Sequence, residues 1–366
     1  MPPALHHRTA LAGPAAAAAT LAIIAVPTAM SAPTDALLEH MPVLGVAINA
    51  HYISDLPLYL QSVDAIAELG ANTLLLVTPM FQDKVDSSEI RVNPAKCPTR
   101  DQLAAILDRA GDRGLQTILL PIVLIEFPGE KDWRGVLRPA DLEAWWAQYE
   151  RFIEYYLEIA VATGVDVFSV GSELNTTEGR LDRWRHIIQR VRQRFDGRVT
   201  YTANWDRYQA VTFWSMVDFI SVSSYFELSR DNPEASVSQL VRAWRVQRAR
   251  MLRYARSEHR SLLIMELGYP SLPWAAAHPW DYVPRDGVEA DGESQARCYR
   301  AFFGAWTDTF VMPDSPVIGF NCYYWDPYHH GGAGDTGYGV RGKPALEIIR
   351  HAFARIRAAT APDSAP

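Results

Sequence analysis

Short apolar runs recur along the chain at 43–48, 73–77, 117–123, 165–170, 199–203, 219–223, 262–265 and 317–323. They show little of the polar/apolar alternation of a half-exposed sheet and read instead as strands buried on both faces. Between them lie segments of helical spacing. Leu181, Trp184, Ile187, Ile188, Val191 and Phe195 fall on one side of a helix, with Arg and Gln outside. A second such segment, 142–162, is rich in Trp, Tyr and Ile. Gly70, Gly114 and Gly164 each stand just before an apolar run, where a helix C-cap belongs. Eight strands, most of them followed by a helical segment, predict an α/β fold: a single closed (β/α)8 TIM barrel. An open doubly wound sheet would want a glycine-rich phosphate turn after the first strand, and Gly45-Val-Ala-Ile-Asn-Ala is not one.

The first 32 residues follow a different pattern. His6, His7 and Arg8 precede an apolar stretch over 11–26, and the small residues Ala29 and Ser31 follow. This is the layout of a secretory signal cleaved after Ser31, with an uncleaved N-terminal anchor as the alternative. The expected divisions are therefore a leader over 1–32, a barrel domain over 33–358 and a disordered tail over 359–366. The expected location is outside the cell, in the periplasm or on the envelope. With a net charge of −7 and no basic block, the chain offers nothing to a nucleic acid. Its 3 cysteines are odd in number and match no zinc spacing, so cysteine chemistry is not the expected function, and no metal or cofactor is expected.

Chemistry enters with two glutamates. Glu173 closes the fourth apolar stretch and Glu266 the seventh. A carboxyl beside a core is costly unless it is paired or used. Two carboxyls facing one pocket are what retaining glycoside hydrolysis requires, one as acid/base and one as nucleophile. In a barrel of this kind, functional residues gather at the C-terminal strand ends. Those ends carry Asn49 and His51, Thr78, Ser172 and Glu173, Asn204 and Trp205, Tyr225, Glu266, and Trp325 with Asp326. Asn175 belongs to a glycosylation sequon but lies so near Glu173 that it reads as a substrate contact. The loop holding His329, His330 and Asp335 lacks the ending of a phosphate loop and reads as a lid or cleft wall rather than a metal site. Trp274, Trp280 and Tyr282 either extend the cleft or cap the barrel rim.

A resemblance to glycoside hydrolase family 113, β-mannanases of clan A, rests on motifs in order along 43–353. They are Gly171-Ser-Glu173-Leu, Trp184-Arg185, Tyr201-Thr-Ala-Asn204-Trp205-Asp, Phe213-Trp214, Asp218-Phe-Ile, Tyr225-Phe226, Glu266-Leu-Gly-Tyr269, Trp325-Asp326 and Gly342-Lys343-Pro344-Ala345. The resemblance implies that Glu173 is the acid/base and Glu266 the nucleophile, with Tyr225 hydrogen-bonding the nucleophile. It further implies that Trp325 floors the subsite at the cleaved bond, lined by Asn204 and Trp205. Two positions depart from the pattern. Ser172 stands where many clan A enzymes carry Asn, and Leu120-Pro121-Ile122 replaces a polar Lys-Pro-His-like segment before the pattern resumes at Trp133-Arg134-Gly135.

The expected function is hydrolysis of a β-linked, mannan-like polysaccharide by double displacement, with water as co-substrate. The alternatives are the same chemistry on a glucan or cell-wall glycan, or a carbohydrate-binding barrel without catalysis. An acid/base needs a raised pKa and a nucleophile a lowered one.

Overall fold

A computed structural model describes residues 41–230 and 232–361; the expected leader and most of the expected tail lie outside them. Eight parallel strands form a closed barrel in sequence order: β1 (Val43–Asn49), β2 (Thr73–Gln82), β3 (Gln116–Ile125), β4 (Val167–Ser172), β5 (Arg198–Asn204), β6 (Phe219–Ser223), β7 (Leu262–Leu267) and β8 (Val317–Trp325), with β8 pairing back onto β1. Seven α-helices surround it: α1 (Leu56–Leu69), α2 (Arg100–Asp112), α3 (Leu142–Ala162), α4 (Leu181–Arg192), α5 (Val237–Ser257), α6 (Gly292–Phe310) and α7 (Pro344–Thr360). The link from β5 to β6 holds a 3-10 turn, Trp214–Met216, instead of an α-helix. α7 runs to Thr360, past the boundary expected at 358. None of the helices among the described residues is long and apolar enough to cross a membrane.

Local sequence explains where the elements begin and end. Thr99 and Gln102 form a capping box at the start of α2, and Ser236 and Gln239 form one on α5. Gly70, Gly114 and Gly164 have φ of +98°, +69° and +65°, the left-handed values that the helix-ending glycines were expected to supply. Strand side chains then divide by direction. One set packs outward against the helices; a smaller one fills the barrel interior, including Ala47, Leu75, Leu120, Ile122, Phe219, Leu263 and Met265. The interior turns polar along β4–β6. There Thr200 donates to Phe219 O at 2.8 Å, and the Thr202 and Ser221 hydroxyls meet at 3.1 Å, so buried hydroxyls satisfy one another.

β2 and β3 extend past the lengths expected from their apolar runs. Val77, Thr78 and Pro79 pair with Leu120, Pro121 and Ile122, and the ladder continues to Gln82 and Ile125. The departure from the family pattern at 120–122 therefore lies within the strand, with Leu120 and Ile122 in the interior core.

Candidate active site

Glu173 follows β4 directly with φ of +54°, a left-handed backbone that costs a non-glycine residue about 1 kcal/mol or more. Its surroundings hold it there. The Glu173 N–H donates to Thr202 O at 2.8 Å, and Leu174 N–H donates to the Tyr201 hydroxyl at 2.9 Å. Tyr201 in turn donates to the buried carboxylate of Glu178 at 3.0 Å. Behind this turn, Trp184 on α4 is fully buried, stacks on Phe213 and donates its indole N–H to Thr177 O at 3.0 Å. Burying such a ring contributes about 2–3 kcal/mol, which more than offsets the strained residue. Several of the motif residues thus build the support for one turn.

Glu266 sits on β7 and is 4% exposed; Glu173 is 5% exposed. The Tyr225 hydroxyl, just past β6, donates to Glu266 Oε2 at 2.7 Å. Arg134 lies in a 3-10 turn, Arg134–Val136, on the connection between β3 and α3. Its Nη2 reaches Glu173 Oε2 at 2.5 Å. Burial pushes the Glu266 carboxyl up to about 7, and the charge of Glu173 adds to this; Arg134 and Tyr225 pull the other way. Glu266 is the residue expected to have a lowered pKa, so the direction is the reverse of the expected one. Desolvation outweighs the hydrogen bond to its charged form.

The other strand-end residues sort into two groups. Some present buried polar atoms with no protein partner: Asn49 Oδ1, His51 Nε2, Ser172 Oγ, Asn175 Oδ1 and Trp325 Nε1. Such atoms are costly unless a ligand or water meets them. His51 is held neutral, its pKa pushed down to about 4 by burial and by Arg134. Others are engaged in local structure. Asn204 donates to Asp206 at 2.9 Å, and Trp205 meets Phe226 edge-on at 5.6 Å. Asp326, read from sequence as a substrate contact, has both oxygens occupied. Oδ2 meets the Tyr324 hydroxyl and His329 Nδ1, while Oδ1 accepts from Tyr328 N–H, so the side chain organises the loop after β8. Thr78 faces Tyr156 behind the barrel.

Two residues of the site were not singled out by sequence. Arg134 was noted only where the family pattern resumes, and Tyr323 only as a strand residue. The Tyr323 hydroxyl accepts from Asn49 Nδ2 at 2.8 Å, and its ring meets Tyr225 edge-on. In the loop after β8, Asp335 is bound to Lys343 at 2.9 Å and His329 to Asp326. Among the described residues no three His, Cys, Asp or Glu side chains gather as a metal site. Trp274 is packed, donating to Asp281 O at 2.8 Å, whereas Trp280 and Tyr282 are exposed on the rim.

A closed parallel barrel with two buried glutamates at its C-terminal face, one left-handed after β4 and one tyrosine-bonded on β7, is the scaffold of a glycosidase. The model of Glycoside Hydrolase Family 113 matches residues 57–343, and the chain belongs to that family. Among solved structures, the family 113 β-mannanase of Alicyclobacillus acidocaldarius, in complex with ManMIm, is 28% identical with a TM-score of 0.74; the match covers 87% of this chain and 99% of that one. A second family 113 β-1,4-mannanase, solved as a complex, is 23% identical at a TM-score of 0.74, over 86% of this chain and 99% of that one. A family 5 subfamily 18 protein from Bifidobacterium longum subsp. longum shares the fold at 14% identity and a TM-score of 0.59, over 87% of this chain and 80% of that one. No curated protein matched the sequence.

Proposed function

We propose that the chain is an exported retaining glycosidase that cleaves a β-linked, mannan-like polysaccharide, with Glu173 as acid/base and Glu266 as nucleophile. The observation that carries this reading is the 2.7 Å hydrogen bond from Tyr225 to Glu266, which fixes one carboxylate oxygen and leaves the other for attack. Glu266 attacks the anomeric carbon while Glu173 protonates the departing glycosidic oxygen. Water, deprotonated by Glu173, then displaces Glu266 from the glycosyl ester. Ser172, Asn175, Asn49 and His51 supply the open polar atoms for sugar hydroxyls, and the Trp325 ring supplies an apolar face with a free indole N–H. Asn204 and Trp205 stand at the adjoining strand end.

The polymer is suggested by the rim. Among the described residues the exposed aromatic side chains are Tyr52, Phe127, Trp280, Tyr282 and Tyr328, all on loops following C-terminal strand ends. Sugar rings stack on such faces, so a chain of several units fits better than a single sugar. Mannan is supported by the family and by the mannanase neighbours. The apolar interior at Leu120 and Ile122 favours keeping a glucan or cell-wall glycan as the second reading.

The test is a panel of mannan, glucomannan, cellulose and xylan with wild type and Glu266→Ala. Release from mannan or glucomannan that the substitution abolishes supports the reading, and release from another polymer alone selects the second. Binding without release from any glycan would leave a carbohydrate-binding barrel. For export, mass spectrometry of protein from the culture fluid should find an N-terminus at Ala32; retention of the full chain in washed membranes supports the anchor instead.

A further inference from the structure

Trp280 and Tyr282 lie on the long connection 268–291 between β7 and α6, at the C-terminal face of the barrel. Long connections in compact domains are usually functional. Both rings face solvent, with Trp280 49% and Tyr282 58% exposed. The backbone on either side of Trp280 is nevertheless pinned from within. Pro279 O accepts from the Tyr338 hydroxyl at 2.6 Å, and Asp281 O accepts from the Trp274 indole N–H at 2.8 Å. The Trp280 indole N–H donates to Glu227 Oε1 at 3.2 Å, while Arg230 engages Glu227 Oε2. The Glu227 side chain is only 12% exposed. Leu228 N–H donates to Ala276 O at 2.9 Å, which stitches the loop after β6 to the loop after β7. A single exposed aromatic ring needs no special reason. A ring whose N–H is fixed by a mostly buried carboxylate has already lost the freedom that binding would cost.

The same rings connect to the site. Glu227 stands two residues beyond Tyr225, whose hydroxyl bonds Glu266. Tyr225, Tyr338 and Tyr282 meet in series, with ring centroids 5.7 Å apart at both contacts. The row runs from buried Tyr225 out to solvent-facing Tyr282. Those two steps lead away from the sugar held at Glu266 and toward its neighbour along the chain. The His278 ring meets that of Trp280 at 5.6 Å, and its Nδ1 is buried without a partner among the described residues. A pyranose offers a flat C–H face edged by hydroxyls, and an aromatic face bordered by a carboxylate and an open imidazole nitrogen complements it. We propose that Trp280, Tyr282 and Glu227 form a preformed subsite for a sugar unit away from the cleaved bond, with Glu227 as the positioning residue that holds the Trp280 ring. This inference rests on the glycosidase reading above and deepens it: the subsite makes the enzyme discriminate by chain length, favouring oligosaccharides long enough to reach from Glu266 to Trp280.

The test compares kcat/KM on mannohexaose and mannotriose; where the panel selects another polymer, its own hexasaccharide and trisaccharide take their place. Trp280→Ala should lower the ratio of hexaose to triose about tenfold, chiefly through KM on the hexaose. Glu227→Ala, which frees the indole, should lower the same ratio, and Glu227→Gln, which keeps an oxygen acceptor, should restore it. A ring that only packs the rim would change both substrates alike, so an unmoved ratio in Trp280→Ala overturns the proposal. Binding is read separately by calorimetry of mannohexaose on Glu266→Ala protein, where adding Trp280→Ala should weaken Kd about tenfold. Hexaose bound equally well with and without Trp280 overturns the subsite and leaves the glycosidase reading standing. A wild type that neither binds nor cleaves any glycan of the panel removes both.

Discussion

At Tyr225 one hydroxyl separates a packed aromatic residue from a working part of the site. Tyr225→Phe keeps the ring against Tyr323 and Tyr338 but removes the hydrogen bond to Glu266. A bond to a charged group contributes about 1.5–3 kcal/mol, so kcat should fall about 10- to 100-fold with the fold intact. Steady-state kinetics beside a circular dichroism melt would separate the two. Glu266 also sets a pH limit. As the proposed nucleophile it attacks only when ionised, and burial pushes it up to about 7, so kcat/KM should rise with pH through that value. A profile flat from about pH 5 to about pH 8 would contradict this assignment. The strand-end glutamates and Tyr225 were legible in sequence because an ionisable or hydroxylated residue closing an apolar run has few structural reasons to be there. Arg134 was not legible as a site residue. It lies in a loop, and its approach to Glu173 depends on a path that no periodicity encodes. Asp326 shows the limit of position alone: its place at a strand end was read correctly, and its oxygens serve Tyr324, the neighbouring backbone and His329.

Element by element, the hydrophobic pattern located every strand, since a strand buried on both faces leaves a continuous apolar run. It placed the ends less well. β2 and β3 continue past Val77 and Val123 because they pair with each other up to Gln82 and Ile125, a tertiary event. The missing α-helix between β5 and β6 follows from a short connection in which Phe213 and Trp214 turn inward against Tyr201. Barrel closure is tested at Gly319. Its φ is +138°, and a β-carbon there would lie 2.2 Å from Val43 O and 2.5 Å from Val43 N. Gly319→Ala should therefore shift β8 off β1 and cost about 1–3 kcal/mol or more in urea unfolding. The loop after β8 hangs on a buried ion pair between Lys343, 4% exposed, and Asp335, 9% exposed. Lys343→Met leaves that carboxylate unpaired and should cost about 3–5 kcal/mol by the same measurement.

Across the whole molecule, stability should carry the mark of two buried carboxyls. Burial raises both Glu178 and Glu266 to about 7 in the folded chain, against about 4.3 for an unfolded glutamate. Between those values the folded state holds more protons than the unfolded one. Their contribution is therefore full below about pH 4.3 and is lost as pH rises through 7. The unfolding midpoint should drop from about pH 5 to about pH 8, and Glu178→Gln should flatten that slope. A slope unchanged by Glu178→Gln would remove that residue from the account. The sequence by itself determined the barrel, its strand count, the strand-end places of the two glutamates and the family, because burial on two faces, helical period and residue order are properties of the chain as written. The tertiary structure alone decided which polar groups meet: that Arg134 pairs with Glu173, that burial raises Glu266, and that Asp326 organises a loop. Those outcomes depend on distances between residues far apart in the chain, and electrostatic and hydrogen-bond energies are set by distance and burial rather than by sequence spacing.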